Sequence, residues 1–443
     1  MAEPQLKRSL GLTSAIAIVV GGVIGSGIFM KPHEIARALP NEAWIYAIWG
    51  GLGILCLFGA FAYAELGTMF PEAGGQYAFL REGWGRFPAF LYGWCLFLVI
   101  NTGTLAGLAV AFANALDTVL PLSQTAEVAV AVAMLLSLAW VNHRGVGAGA
   151  VFQNVSTFAK VAALGAIVVG GLLLRGGGDA TAPAPAGVEP NFVRGVVAAA
   201  VAIFWAYEGW YVLPFSAAEM RRPERDLPRG LILATLLLIV LYLAANFAYL
   251  RAVPLAEMRT LENPVEVPKL AMQRIFGGWA GGSFALLLGV SVIGSANPGL
   301  LSTPRAFYAM GKDGLLFRGL GRVHSRHRTP SVAIWVQALW SILLVIVLRT
   351  FRDITEFVIF AALLFYALTV ASVYVLRRRR PDHPRPYHCW GYPWSPAVFI
   401  LVVLFVDVQT LMDPASRTNA LLGLGILAAG AIAYALRRRR TAS

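Results

Sequence analysis

Apolar stretches of about 20 residues recur along this chain from one end to the other, and that feature excludes most folds. A helix of that length crosses the ~30 Å hydrocarbon core of a bilayer. The sequence is 58% hydrophobic and only 13% charged over 443 residues, which no water-soluble domain of that size matches. In lipid every backbone polar group needs a partner within the protein, so helices are the expected elements. Candidate spans lie at 11–38, 44–70, 84–116, 125–141, 151–174, 193–217, 229–252, 280–309, 330–349, 353–376, 395–412 and 418–436. The expected fold class is all-α and integral to the membrane, with twelve transmembrane helices. The gaps leave no room for a soluble domain. The first span does not read as a cleaved signal, being long, glycine-broken and followed by Lys31-Pro32.

A net charge of +13 raises the question of nucleic acid. The positions of the basic residues answer it. With a cytoplasmic N-terminus, Lys and Arg concentrate in the inner segments: Arg221, Arg222, Arg225 and Arg229, then Arg318 to Arg328, Arg377 to Arg380, and Arg437 to Arg440. That bias predicts both termini inside and an inner-leaflet girdle of charge, with no nucleic-acid partner. Cys56, Cys95 and Cys389 form no disulfide framework.

The first span carries Gly21, Gly22, Gly25 and Gly27 at its centre, with Ser26 between the last two. Each glycine costs a helix interior about 1 kcal/mol relative to alanine. Loosened backbone at membrane depth is tolerated where it lines a protein cavity. The run Val23-Ile24-Gly25-Ser26-Gly27 therefore reads as an unwound binding segment, although glycines also serve close helix packing. The sixth span runs through Phe204-Trp205-Ala206-Tyr207-Glu208-Gly209-Trp210 to Pro214 and is expected to break beside Glu208. Glu208 read structurally is a carboxylate satisfied by a neighbouring helix. Breaks in spans 1 and 6 imply a 5+5 inverted repeat with a site near the midplane. Carbonyls left by one half-helix suit a cation, and N–H groups opening the other suit an anion. Together they suit a small zwitterion such as an amino acid, with Phe204, Trp205, Tyr207 and Trp210 available to close over its side chain.

Lys160 stands alone in the fifth span, about nine residues or roughly 14 Å from its inner end. A lysine near mid-membrane costs several kcal/mol unless it is paired or wetted, and its default reading is functional, with snorkelling as the alternative. Other motifs are weak. Gly311-Lys312-Asp313 lacks the spacing of a phosphate loop. His324-x-x-His327 has metal-ligand character, but its arginine neighbours make a solvated loop the better reading. No nucleophile elbow or zincin pattern is present, so no enzyme and no cofactor are expected.

The stretches Val23–Phe29, Tyr63–Gly67 with Pro71–Tyr77, Phe204–Trp210 running on to Glu219 and Asp226–Arg229, and Arg305–Gly314 after Asn297 resemble the amino acid–polyamine–organocation superfamily. They look most like its L-type branch, which includes bacterial serine/threonine and alanine–serine–cysteine exchangers. The resemblance spans nearly the whole chain and implies the leucine-transporter fold. It also implies that substrate is held by Val23, Ile24, Gly25, Ser26 and Gly27 with Trp205, Ala206, Tyr207 and Glu208. Gly25, Ser26 and Gly27 would offer N–H groups to the carboxylate. Carbonyls near Val23, Ile24 and Trp205 would take the ammonium. Trp205 stands where this branch usually has a gating Phe, and Glu208 where relatives have Gly or Asp. Lys160 matches the lysine of sodium-independent members, whose ammonium replaces the ion. Asp117–Gln124 lacks the cysteine that animal exchangers use to bind a heavy chain, so no such partner is expected.

The expected organisation is a cytoplasmic tail (1–10), a first five-helix repeat (11–174), an outer loop (175–192), a second, inverted repeat (193–376), a cytoplasmic loop (377–394), two further helices (395–436) and a cytoplasmic tail (437–443). The expected function is sodium-independent exchange of neutral L-amino acids across the cytoplasmic membrane. Proton symport with Lys160 as the titrating group is the alternative.

Overall fold

The computed structural model describes residues 6, 8–117, 120–173, 191–261, 263, 265–348, 351–414 and 416–442. The expected outer loop lies outside the described residues up to residue 190. So do residues 1–5 and 7 of the first tail and residue 443 of the last.

Among the described residues the chain is helical, with a single isolated bridge between Leu10 and Met220. In order the helices are α1 (Leu12–Val23), α2 (Gly27–Met30), α3 (Pro32–Ala38), α4 (Glu42–Met69), α5 (Gln76–Trp84), α6 (Arg86–Cys95), α7 (Asn101–Asp117), α8 (Gln124–His143), α9 (Val146–Leu173) and α10 (Phe192–Tyr207). They continue as α11 (Pro223–Ala252), α12 (Leu255–Thr260), α13 (Glu266–Phe276), α14 (Trp279–Leu301), α15 (Pro304–Lys312), α16 (Ser331–Leu348), α17 (Phe351–Arg379), α18 (Trp394–Met412) and α19 (Arg417–Ala442). A π-helical turn, Leu96–Ile100, joins α6 to α7, and a 3₁₀ segment, Leu213–Glu219, follows α10.

Among the described residues ten segments are long and apolar enough to cross a bilayer; Phe192–Tyr207 and Ser331–Val347 are apolar but shorter. Local chemistry sets the ends. Asn41, Ser123 and Asn191 accept the N–H groups of Trp44, Ala126 and Arg194 at 3.1, 3.3 and 3.1 Å and so cap α4, α8 and α10. Helix α10 stops early because Gly209 takes φ +104°, a left-handed conformation in which a side chain is strained.

The first span is three pieces, α1, α2 and α3, with residues 24–26 outside any helix. Burial separates centre from rim. In the most apolar window of Leu12–Met30, 72% of residues are buried inside the protein, against 17% for Arg417–Arg437. The first span is therefore central and α19 peripheral. Around α1 pack α9, α11 and α14.

The long connection after α11 carries two short helices, α12 and α13, and they are packed rather than loose. Val267, Ala271 and Met272 of α13 are buried. Arg259 of α12 donates to the carbonyls of Ala36, Leu39 and Pro40 at 2.8 to 2.9 Å, closing the end of α3.

Candidate functional site

The break after α1 exposes carbonyls that a continuous helix would satisfy, and α9 answers them. Lys160 Nζ donates to Gly21 O and Ile24 O, both at 2.7 Å. Thr157 and Gln153, one and two turns earlier on α9, donate to Ala17 O at 3.0 and 3.2 Å. Ser291 of α14 shares Ile24 O at 3.1 Å. The lysine side chain fits because α14 carries Gly294 beside it: a Cβ there would lie 2.6 Å from Lys160 Cε and 2.9 Å from Nζ. Lys160 is 1% exposed, so its ammonium is cut off from bulk solvent.

The end of α10 lies against α2. A Cβ on Gly27 would sit 2.4 Å from Ala206 Cα, so α2 touches the backbone of α10. Tyr242 of α11 ties the two together, its hydroxyl lying 2.9 Å from both Val23 O and Ala206 O. The Trp205 indole donates to Ser26 Oγ at 3.3 Å. Beyond the break the Glu208 carboxylate accepts from Tyr211 at 3.0 Å and from Tyr366 of α17 at 2.8 Å.

Between the breaks lies a cavity of about 40 Å³. Val23, Gly25, Ser26, Gly27, Trp205 and Glu208 line it, with Asn101 and Thr104 of α7 and Ser295 of α14 opposite. The N–H groups of Gly25 and Ser26 donate to no acceptor among the described residues. Three expected site residues stand one layer back. Ile24 turns its carbonyl to Lys160 and Ser291. Ala206 is packed on Gly27. Tyr207 lies against Trp49 and Tyr242, with ring centroids 6.0 and 5.1 Å away. Of the aromatic cluster only Trp205 lines the cavity; Trp210 packs on Tyr63 at 4.9 Å and on Phe399 at 5.9 Å.

Sequence reasoning did not single out Tyr242, Ser291, Gly294, Ser295 or Tyr366. Each is a polar or small residue inside an apolar run, and that pattern was the only available signal. Nothing in a linear sequence says which helix such a residue faces.

The sequence pattern of the amino acid permease family matches residues 10–426. The chain is 30% identical over 438 residues to the serine/threonine exchanger SteT of Bacillus subtilis, covering 98% of each chain. It is 28% identical over 430 residues to the human b(0,+)-type amino acid transporter 1, covering 93% of this chain and 84% of that one. It is 30% identical over 439 residues to the human cystine/glutamate transporter, covering 98% and 85%. These proteins are transporters, not enzymes. The chain belongs to the amino acid permease family: it is a multi-pass membrane transporter of amino acids, of the L-type and serine/threonine-exchanger kind within the amino acid–polyamine–organocation superfamily.

Proposed function

We propose that the chain exchanges neutral L-amino acids across the cytoplasmic membrane by alternating access, without sodium. The observation that carries this reading is the Lys160 ammonium held between Gly21 O and Ile24 O at 2.7 Å. Carbonyls freed by a broken helix are the oxygen ligands a sodium ion would take. A fixed ammonium in that place supplies the same charge and holds the break open with no ion. The names of the relatives agree with exchange, since one is called a serine/threonine exchanger.

The substrate carboxylate is assigned to the N–H groups of Gly25, Ser26 and Gly27. The carbonyls of Val23 and Trp205 each keep a second lone pair for the ammonium. Ile24, Ala206 and Tyr207 hold that arrangement from behind. Trp205 and Glu208 bound the side-chain end. A 40 Å³ cavity has room for about three waters, fewer atoms than an amino acid has. Admitting substrate therefore requires the breaks to move relative to α7 and α14, as alternating access demands. The same reading makes the two breaks equivalent positions of a 5+5 inverted repeat in the leucine-transporter fold. Residues 11–174 and 193–376 are its halves, and both termini lie in the cytoplasm on the basic side. It assigns no disulfide-linked heavy chain, because residues 117–124 contain no cysteine.

Proton symport is the second reading. It is favoured by the same buried lysine, which meets two neutral carbonyls. Uptake of labelled serine, threonine, alanine and leucine by purified protein in sodium-free liposomes separates the two. Exchange requires uptake into amino-acid-loaded vesicles only, indifferent to a proton gradient. Uptake into empty vesicles that grows with an inward proton gradient establishes symport instead. A requirement for sodium overturns both.

A further inference from the structure

Three histidines from two stretches far apart in sequence meet on the face that carries the arginine-rich segment 318–328. His143 is the last residue of α8. His324 and His327 lie in the turn before α16. Their ring centroids are 5.2 Å (143 to 324), 5.1 Å (143 to 327) and 4.7 Å (324 to 327) apart. One nitrogen from each ring lies within 4.8 Å of the others. We propose that His143, His324 and His327 form a binding site for one borderline divalent cation of the zinc, nickel or copper class.

The backbone organises these rings before any ion arrives. His324 N donates to Thr329 O at 2.8 Å and Arg328 N donates to His324 O at 2.9 Å, so the turn is closed on itself. Its i, i+3 spacing puts His324 and His327 on one side. Thr329 Oγ1 donates to His143 O at 3.1 Å and pins the turn to the end of α8. The negative end of the helix dipole at that terminus favours a cation. The Arg144 guanidinium, next in sequence to His143, lies over the Trp140 ring, 4.8 Å from its centroid.

The nitrogens themselves invite a ligand. His143 Nδ1 is buried with no hydrogen-bond partner among the described residues, a cost that ring packing alone does not repay. His324 Nδ1 accepts from the N–H groups of Arg326 and His327 at 3.2 Å each. Those two bonds occupy Nδ1 and orient the ring, which leaves Nε2 as the ligating nitrogen. At Zn–N of about 2.0–2.1 Å, tetrahedral geometry puts ligand nitrogens about 3.3 Å apart. Side-chain rotations of about 1.5 Å reach that spacing from the observed positions. Three imidazoles and no carboxylate select a borderline metal over magnesium or calcium, and leave a fourth position for water. A bound ion would join the end of α8 to the start of α16.

The test uses the full chain, free of any histidine tag, stripped with chelator in detergent and titrated with Zn²⁺ or Co²⁺. One saturable ion per chain is expected, with an X-ray absorption signature of three imidazole nitrogens. His324→Gln and His327→Gln, both in a surface turn, should each weaken binding at least tenfold. Undiminished binding in the H143Q/H324Q/H327Q variant would overturn the site, as would the absence of saturable binding by the wild type. The absorption spectrum of wild-type protein decides the matter even if a variant fails to fold.

Discussion

Lys160 and its neighbours set the residue-scale expectations. Hydrogen bonds to a charged group contribute about 1.5–3 kcal/mol each, and Lys160 makes two across the break. Lys160→Ala should abolish transport or uncouple it from exchange while membrane insertion persists. Wild-type exchange kinetics in that variant would remove Lys160 from the mechanism. Gly294→Ala probes the same group while leaving the lysine itself unchanged. The added methyl would meet Lys160 Cε and Nζ, so the ammonium must shift and transport should fall about as far as in the lysine variant. At the other end of the cavity Trp205→Phe removes the indole donor to Ser26 and enlarges the pocket. Competition uptake should then favour larger side chains, and an unaltered profile would place Trp205 outside the pocket.

At the scale of elements, glycine does two different jobs in the broken span. Gly27 and Gly21 are packing glycines: a Cβ would lie 2.4 Å from Ala206 Cα at the first and 2.0 Å from Thr157 Oγ1 at the second. Gly22 lines the cavity, and its Cβ would meet Pro298 at a tolerable 3.4 Å. Overpacking costs about 1–3 kcal/mol. Gly27→Ala should therefore lower thermal stability in detergent, whereas Gly22→Ala should keep stability and weaken substrate affinity. Equal melting curves for the two variants would show that the spacing of α2 against α10 is looser than these distances imply.

Across the whole molecule, buried ion pairs hold the basic side together. Arg305 of α15 pairs in bidentate fashion with Glu219 at 2.8 and 3.0 Å, and both side chains are 1% exposed. Glu219 also accepts, through its carbonyl, the N–H groups of Ser9 and Leu10, so the chain start, the 3₁₀ segment after α10 and α15 meet at one residue. Glu65 of α4 accepts from Arg377 at 2.9 and 2.6 Å and from the Cys389 N–H at 2.6 Å, drawing the 377–394 loop onto α4. Removing one partner of a buried pair costs about 3–5 kcal/mol because the other charge is stranded. Glu219→Gln should destabilise far more than the E219L/R305L double change, as read from melting temperatures. Additive losses would mean the two residues act independently.

Length, apolar periodicity and the placement of lysine and arginine settled the class of this protein, because a helix in lipid has to satisfy its own backbone and little else in the sequence looks like that. The glycine run at 21–27, the Glu208-Gly209 pair and the solitary Lys160 were legible for the same reason: each is expensive in an apolar span. Contacts were not legible. That Ile24 turns its carbonyl to Lys160, that Tyr242 bridges Val23 and Ala206, and that His143 joins His324 and His327 depend on how helices distant in sequence rotate against one another. Only packing decides which neighbour a given side of a helix meets, since most of the surface of a membrane-spanning helix is apolar and carries little sign of its partner.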